Sequence, residues 1–427
     1  MPADRMPGRS AGGTAEPARR RRGRRQRTGG PATMLAMATL GFGLNFWAWA
    51  LLSPLGPRFK EALQLSSFQQ ALLVAVPVVV GSVGRIPVGA LTDRFGGRVM
   101  FPLVSTVTIV PVLYLGLAGH SALPALLGGG FVLGIAGTAF AVGVPFVNAW
   151  FPPERRGFAI GVFGAGMGGT AISALTTVHL VDWRGMAAPF VVTAVLLAVY
   201  AVAAALILRE APGRTVPAES LGRRLGDTLR LGVTWQASVL YAVAFGGYVA
   251  FSVYLPTYLK TEYGLGQADA ANRMAGFVLV AVLLRPVGGW LSDRVGAVRV
   301  LVAVLAVVSA GAAVQSFAPD LLPLGTIAFL SMAAALGAGS GATFALVALL
   351  APANRVGAVT GVVGAAGGLG GFVPPLVMGS IYGSYGSYAA GLALLSLVAA
   401  AAALFTGTVV RREVRHRRVP AAVPGGA

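Results

Sequence analysis

The chain has 427 residues, 56% of them hydrophobic and 11% charged, with a formal net charge of +19 and a mean hydropathy of +0.76. No water-soluble globule of ordinary composition has these values, whereas a polytopic membrane protein does. The absence of Cys removes disulfides, thiolate metal sites and cysteine nucleophiles, and three His leave little for a metal, so no cofactor is expected.

Residues 1–32 are rich in Gly, Pro and Arg and read as a disordered basic tail. Apolar windows then predict six helices near 33–53, 68–92, 98–119, 122–149, 156–179 and 186–209, a first bundle over 33–209. The polar stretch 210–232 reads as a linker that is a tether rather than a domain. Six further helices near 234–259, 269–293, 298–316, 321–349, 355–380 and 386–409 give a second bundle over 233–410, and 411–427 is a second basic tail. The expected fold is therefore all-α and integral to the membrane, with twelve transmembrane helices in two pseudo-symmetric six-helix bundles.

An even number of crossings puts both tails on one side. That side also receives Arg94, Arg98, Arg155, Arg156, Arg294, Arg299, Arg355 and the arginines of the linker, while the opposite loops hold only Arg58, Lys60, Arg184, Lys260 and Arg273. Arginine enrichment marks the cytoplasmic face, so a multi-pass protein of the cell inner (plasma) membrane with both termini cytoplasmic is expected. Tail arginines beside membrane helices suit contact with the lipid bilayer rather than with nucleic acid.

The stretch Arg85-Ile-Pro-Val-Gly-Ala-Leu-Thr-Asp-Arg-Phe-Gly-Gly-Arg98 is echoed by Arg285-Pro-Val-Gly-Gly-Trp-Leu-Ser-Asp-Arg-Val-Gly. Arg85, Gly89, Leu91, Asp93, Arg94 and Gly96 recur as Arg285, Gly289, Leu291, Asp293, Arg294 and Gly296 at one constant offset. Pro152, Arg155, Gly157, Gly161, Gly164 and Gly168 recur as Pro352, Arg355, Gly357, Gly361, Gly364 and Gly368 at the same offset. Similarity among Gly-rich apolar helices explains the glycines, but not the repeated Arg and Asp. Asp93-Arg94 and Asp293-Arg294 fall where a helix meets water. Arg85 and Arg285 lie about 12 Å further in, near the middle of a core about 30 Å thick. A guanidinium there costs at least about 2.5 to 3.5 kcal/mol and normally faces a bundle interior. No Asp or Glu falls in the interior of a predicted span, only at span ends, and Glu154 and Asp182 are assigned to loops. Snorkelling or backbone carbonyls could satisfy the pair instead, since Pro87 and Pro286 free carbonyls nearby.

These residues resemble the major facilitator superfamily, whose hairpins carry a Gly-x-x-x-Asp-Arg-x-Gly-x-Arg-like signature. Gly89 to Arg98 fits it fully, and the second copy displaces the last basic residue to Arg299. Within the superfamily the chain looks like a nitrate/nitrite porter on three features. They are the arginine pair, the Gly-rich signatures Gly164-Ala-Gly166-Met-Gly168-Gly169 and Gly364-Ala-Ala-Gly367-Gly368-Leu-Gly370-Gly371, and the phenylalanines Phe140 and Phe344. Gly169 stands where family members often place Asn, so fewer side-chain donors are expected.

The resemblance implies a substrate site of Arg85, Arg285, Phe140, Phe344, Phe251, Tyr248, Gly168, Gly169, Gly367 and Gly368. Flat rings would sandwich a planar ion, although each aromatic also has an ordinary core reading, and the glycines also suit close helix packing. Asp93, Arg94, Asp293, Arg294, Arg155 and Arg355 are expected to be gates. Guanidinium forks fit planar oxyanions such as nitrate and nitrite. Two like charges in an empty site repel by several kcal/mol at an effective dielectric near 20, and an anion offsets this, so nitrate/nitrite exchange by alternating access in a functional monomer is the favoured reading. Nitrate/proton symport, with His179 as a proton carrier, and a porter of another small anion (cyanate, formate, a small carboxylate) are the alternatives. No acid, base or nucleophile cluster within the membrane supports an enzyme.

Overall fold

The computed structural model describes residues 29–212, 221–352 and 355–418. Residues 1–28 and 419–427 of the two expected tails, and 213–220 of the expected linker, lie outside the described residues. Among the described residues, twelve helices are long and apolar enough to cross a membrane. They are α1 Pro31–Ala62, α2 Ser67–Phe95, α3 Gly97–Leu117, α4 Leu123–Trp150, α5 Ala159–Arg184, α6 Ala187–Ile207, α7 Gly232–Tyr263, α8 Gln267–Val295, α9 Ala297–Ser316, α10 Leu321–Leu350, α11 Val356–Tyr385 and α12 Ala389–Arg415. All regular elements among the described residues are helical.

The constant offset in the sequence reappears as a packing rule. In the first half α1 packs on α5, α2 on α4, and α3 on α6; in the second half α7 packs on α11, α8 on α10, and α9 on α12. The halves meet chiefly through α2 with α11 and α5 with α8, which are equivalent pairs, and through α1 with α7. Arg85 and Arg285 thus sit on helices that each face the other half.

Local chemistry fixes where the helices turn and bend. Gly96 and Gly296 close the α2–α3 and α8–α9 hairpins at φ of +84° and +95°, a region that side chains other than glycine rarely adopt. Ser66 and Gln69 form a reciprocal capping box at the start of α2. Pro87 has no N–H for the Val83 carbonyl, and α2 is interrupted at Gly84, one residue before Arg85. Pro374 and Pro375 likewise coincide with the break in α11 after Gly370. In α4 and α5 the helix tightens over Gly134–Thr138 and Ala165–Gly168, a geometry that often accompanies hinges when it falls in mid-helix. These irregular segments surround the two arginines.

The stretch 210–232 carries a short helix, Leu221–Leu229. Leu221, Leu225 and Leu229 recur at helical spacing, a stripe that the many arginines of this stretch obscure. Two loop assignments are corrected: Asp182 lies in the last turn of α5, where it pairs with Arg58 of α1 at 2.7 Å, and Glu154 lies in the first turn of the helix Pro153–Gly164 that leads into α5.

Candidate functional site

Arg85 enters the interface from α2 and is only 7% exposed. Its Nη1 donates to the Gly364 carbonyl of α11 at 2.6 Å, and its Nε is buried without a partner. Arg285 comes from α8, where Gly341 of α10 lies so close to the Arg285 carbonyl that a Cβ would collide with it. Its Nη2 donates to the Tyr241 hydroxyl at 2.9 Å, and its Nη1 lies 2.6 Å from the Met167 sulfur of α5.

Four aromatic residues surround this pair. The Arg85 guanidinium lies 5.2 Å from the Phe140 ring and 5.5 Å from Phe245; that of Arg285 lies 5.9 Å from Phe140, 5.6 Å from Phe245 and 5.7 Å from Phe344. Tyr241 stacks on Phe245 at 4.8 Å and 3°, and meets Phe344 at 4.7 Å. Neither central guanidinium has a carboxylate partner among the described residues. The ion pairs described there, Arg58–Asp182, Lys260–Glu61, Arg273–Asp269 and Arg355–Asp227, all lie near helix ends.

Magnitudes decide whether rings alone can hold the charges. Each cation–π contact is worth about 0.5 to 2 kcal/mol. Two such contacts on Arg85 and three on Arg285 are comparable with the roughly 2.5 to 3.5 kcal/mol that each arginine costs in mid-membrane. The rings therefore offset much of that cost without neutralising either charge. Each guanidinium also has more N–H groups than partners, since a guanidinium carries five donors. A small anion is what such a site can take.

Phe140 and Phe344 are both at the arginines. Tyr248 is one step removed: its ring stacks near Phe245, and its hydroxyl shares a hydrogen bond with Thr170 of α5 at 3.2 Å. Phe251 lies apart, packed on Phe277 and Phe329, because ten residues along α7 carry it about 15 Å from Tyr241. Gly169 abuts the Gly43 carbonyl of α1, Gly367 faces the Tyr241 ring, Gly368 faces Ser82 of α2, and Gly168 borders open space. Beside Arg85 a cavity of about 10 Å³, lined in part by Trp49, Ser82 and Gly368, has room for about one water.

Of the expected gates, Arg94 lies over Phe95 and Arg294 over Trp290, while Arg355 is joined to Asp227 at 3.0 Å. Arg155 is exposed, and both Asp93 and Asp293 are near the ends of their helices. The sequence reading missed Tyr241, Phe245, Met167 and the Gly364 carbonyl. Tyr241, Phe245 and Tyr248 fall at i, i+4 and i+7, so a single face of α7 could have been read as aromatic.

On the far side from the tails, the halves are tied together. Ser53 donates to the carbonyls of Ser252 at 3.0 Å and Val253 at 2.8 Å, Gln70 to Thr257 at 3.0 Å, Gln267 to the Pro54 carbonyl at 2.7 Å, and Lys260 to Glu61 at 2.5 Å.

The chain is similar to a probable nitrate/nitrite transporter NarK2 of Mycobacterium tuberculosis, with 49% identity over 83% of this chain and 90% of the relative. It is also similar to a probable nitrate/nitrite antiporter NarK1 of Thermus thermophilus, with 36% identity over 63% of this chain and 62% of that protein. A bacterial homologue of the human lysosomal transporter Spinster, solved in an inward-facing and occupied conformation, shares the fold with a TM-score of 0.71, 20% identity, and coverage of 91% of this chain and 99% of that one. The Major Facilitator Superfamily model matches residues 38–371 and 238–426. With twelve helices, two equivalent halves and a site between them, the chain is a transport protein that belongs to the Major Facilitator Superfamily.

Proposed function

We propose that this protein moves nitrate and nitrite across the inner membrane by alternating access, one anion at a time, held between Arg85 and Arg285. The observation that carries the reading is the sharing of Phe140 and Phe245 by two guanidiniums that have no carboxylate among the described residues. A planar oxyanion can lie between flat rings while accepting from both forks. Tyr241 orients Arg285 and supplies a further donor when the anion enters. The relatives named as nitrate/nitrite transporters, one of them an antiporter, support the same substrate class.

The arginine-rich side is the cytoplasmic one in this reading, so the ties near Ser53, Gln70 and Lys260 close the external path. Rocking of the halves about α2–α11 and α5–α8 breaks those ties and exposes the anion outward. With its anion gone, the site holds two cations that resist closing around nothing, and a returning anion removes that repulsion. Exchange of nitrate for nitrite follows from this, and among the described residues the site contains no carboxylate to carry a proton in its place.

Counterflow in proteoliposomes tests the proposal. Labelled nitrate should enter when nitrite is trapped inside and should be indifferent to an imposed pH gradient. Uptake driven by a proton gradient into vesicles lacking internal anion would replace exchange with symport, and no uptake under either condition would remove the substrate assignment.

A further inference from the structure

The two halves treat the first turn of α3 and of α9 differently. In the first half the Glu210 carboxylate, three residues past the end of α6, fills the space beside Gly96 and accepts from the Arg98 backbone N–H at 2.8 Å. A carboxylate therefore occupies this position at a helix N-terminus, where backbone donors and the helix dipole favour negative charge. At the constant offset, Gly296 replaces Gly96, Val298 replaces Arg98, and Val410 replaces Glu210. Val410 is fully buried and offers no acceptor, and the space beside Gly296 is open to 4 Å.

That space belongs to a partly open cavity of about 330 Å³ between the α8–α9 turn and α12. Arg294, Arg299, Arg411 and Arg415 line it, and they outnumber the one carboxylate in its wall, Asp293. Arg294 rests on the Trp290 ring at 4.2 Å, and Arg411 and Arg415, one turn apart on α12, are exposed. Glu413, on the same helix, accepts from Gln236 at 2.5 Å and does not line the cavity. Exposed apolar side chains lie close by: Leu349 lines the cavity at 47% exposed, and Val409, two residues before Arg411, is 46% exposed. The cavity therefore opens at the level where the apolar band of the protein ends.

We infer that this cavity binds a phosphate group at the bilayer surface, an external anion that does in the second half what Glu210 does in the first. The group docks against the α9 N-terminus between Arg299 and the Arg411–Arg415 pair. A phospholipid headgroup or free phosphate offers the same chemistry, and the position beside exposed apolar residues favours the headgroup. The inference does not rest on the identity of the transported anion.

Native mass spectrometry of the full-length protein in neutral detergent tests this, with phosphatidylglycerol as the probe, diacylglycerol as the phosphate-free control and inorganic phosphate as competitor. Phosphatidylglycerol should bind and diacylglycerol should not. The exposed pair variant Arg411→Ala/Arg415→Ala should weaken binding roughly tenfold or more, since it removes two of the four guanidiniums that line the cavity. Arg184→Ala/Arg273→Ala, on the far side, should leave it unchanged. Millimolar phosphate that displaces the lipid supports the site with the free ion as its source, and resistance to displacement supports the headgroup. Equal lipid affinity in the wild type and the Arg411/Arg415 variant, or an equal loss in the far-side control, would overturn the inference.

Discussion

Arg85 and Arg285, contributed by opposite halves, approach the same two rings, with Phe140 at 5.2 and 5.9 Å and Phe245 at 5.5 and 5.6 Å from their guanidinium carbons. Phe140 comes from the first half and Phe245 from the second, so the site exists only while the halves are apposed. Each arginine also reaches across, Arg85 to Gly364 and Arg285 to Met167. In the proposed mechanism, these side chains are what couples binding to rocking.

Replacing either arginine by lysine keeps the charge and removes the planar fork. Loss of one charge-assisted hydrogen bond costs about 1.5 to 3 kcal/mol, so transport in Arg85→Lys and Arg285→Lys should fall about 10- to 100-fold. Initial rates of nitrate uptake in proteoliposomes measure this, and near-normal rates in both variants would defeat the bidentate account.

Tyr241 is held by Phe245 on one side and by Gly367 on the other, where a Cβ would run into its ring. Gly367→Ala should push Tyr241 off Arg285 and impair uptake more than Tyr241→Phe, which leaves the ring in place and removes one hydrogen bond worth about 0.5 to 1.5 kcal/mol. Uptake kinetics of the two variants give the order directly; the reverse order would mean that the ring position is unimportant.

The far-side ties predict a locked state. The chain has no Cys, so Gln70→Cys with Thr257→Cys can be joined by a short thiol-reactive linker on an otherwise silent background. Cross-linking should stop transport, and reduction of a cleavable linker should restore it. Transport that continues through the linked protein would show that these ends need not separate.

Glu210 ties the end of α6 to the start of α3. Glu210→Ala should destabilise the protein by about 0.5 to 2 kcal/mol, the usual range for a lost helix cap, which thermal unfolding in detergent would detect. An unchanged midpoint would mean that the carboxylate is replaceable by water.

The fold was legible in the sequence because two independent patterns agree on it. Apolar windows set the number of crossings, and the repeat of Arg85 to Gly96 as Arg285 to Gly296 paired the halves. The arginines themselves were also legible, since a mid-membrane charge is costly enough to demand a role. What the local pattern could not contain was the acceptor for Arg85, a backbone carbonyl far along the chain on α11. Nor could it rank Tyr241 against Tyr248, because both lie on an apolar helix and only tertiary packing puts one hydroxyl on Arg285 and the other on Thr170. The helix Leu221–Leu229 was hidden for a different reason: its apolar stripe is narrow and arginine-rich sequence surrounds it.

Equilibrium binding of nitrate to the purified protein, compared with Arg85→Ala and Arg285→Ala, reaches the central claim without passing through transport. The account predicts one nitrate per chain for the wild type and no measurable binding for either variant in a protein that remains folded. Retention of nitrate affinity by both variants would contradict it.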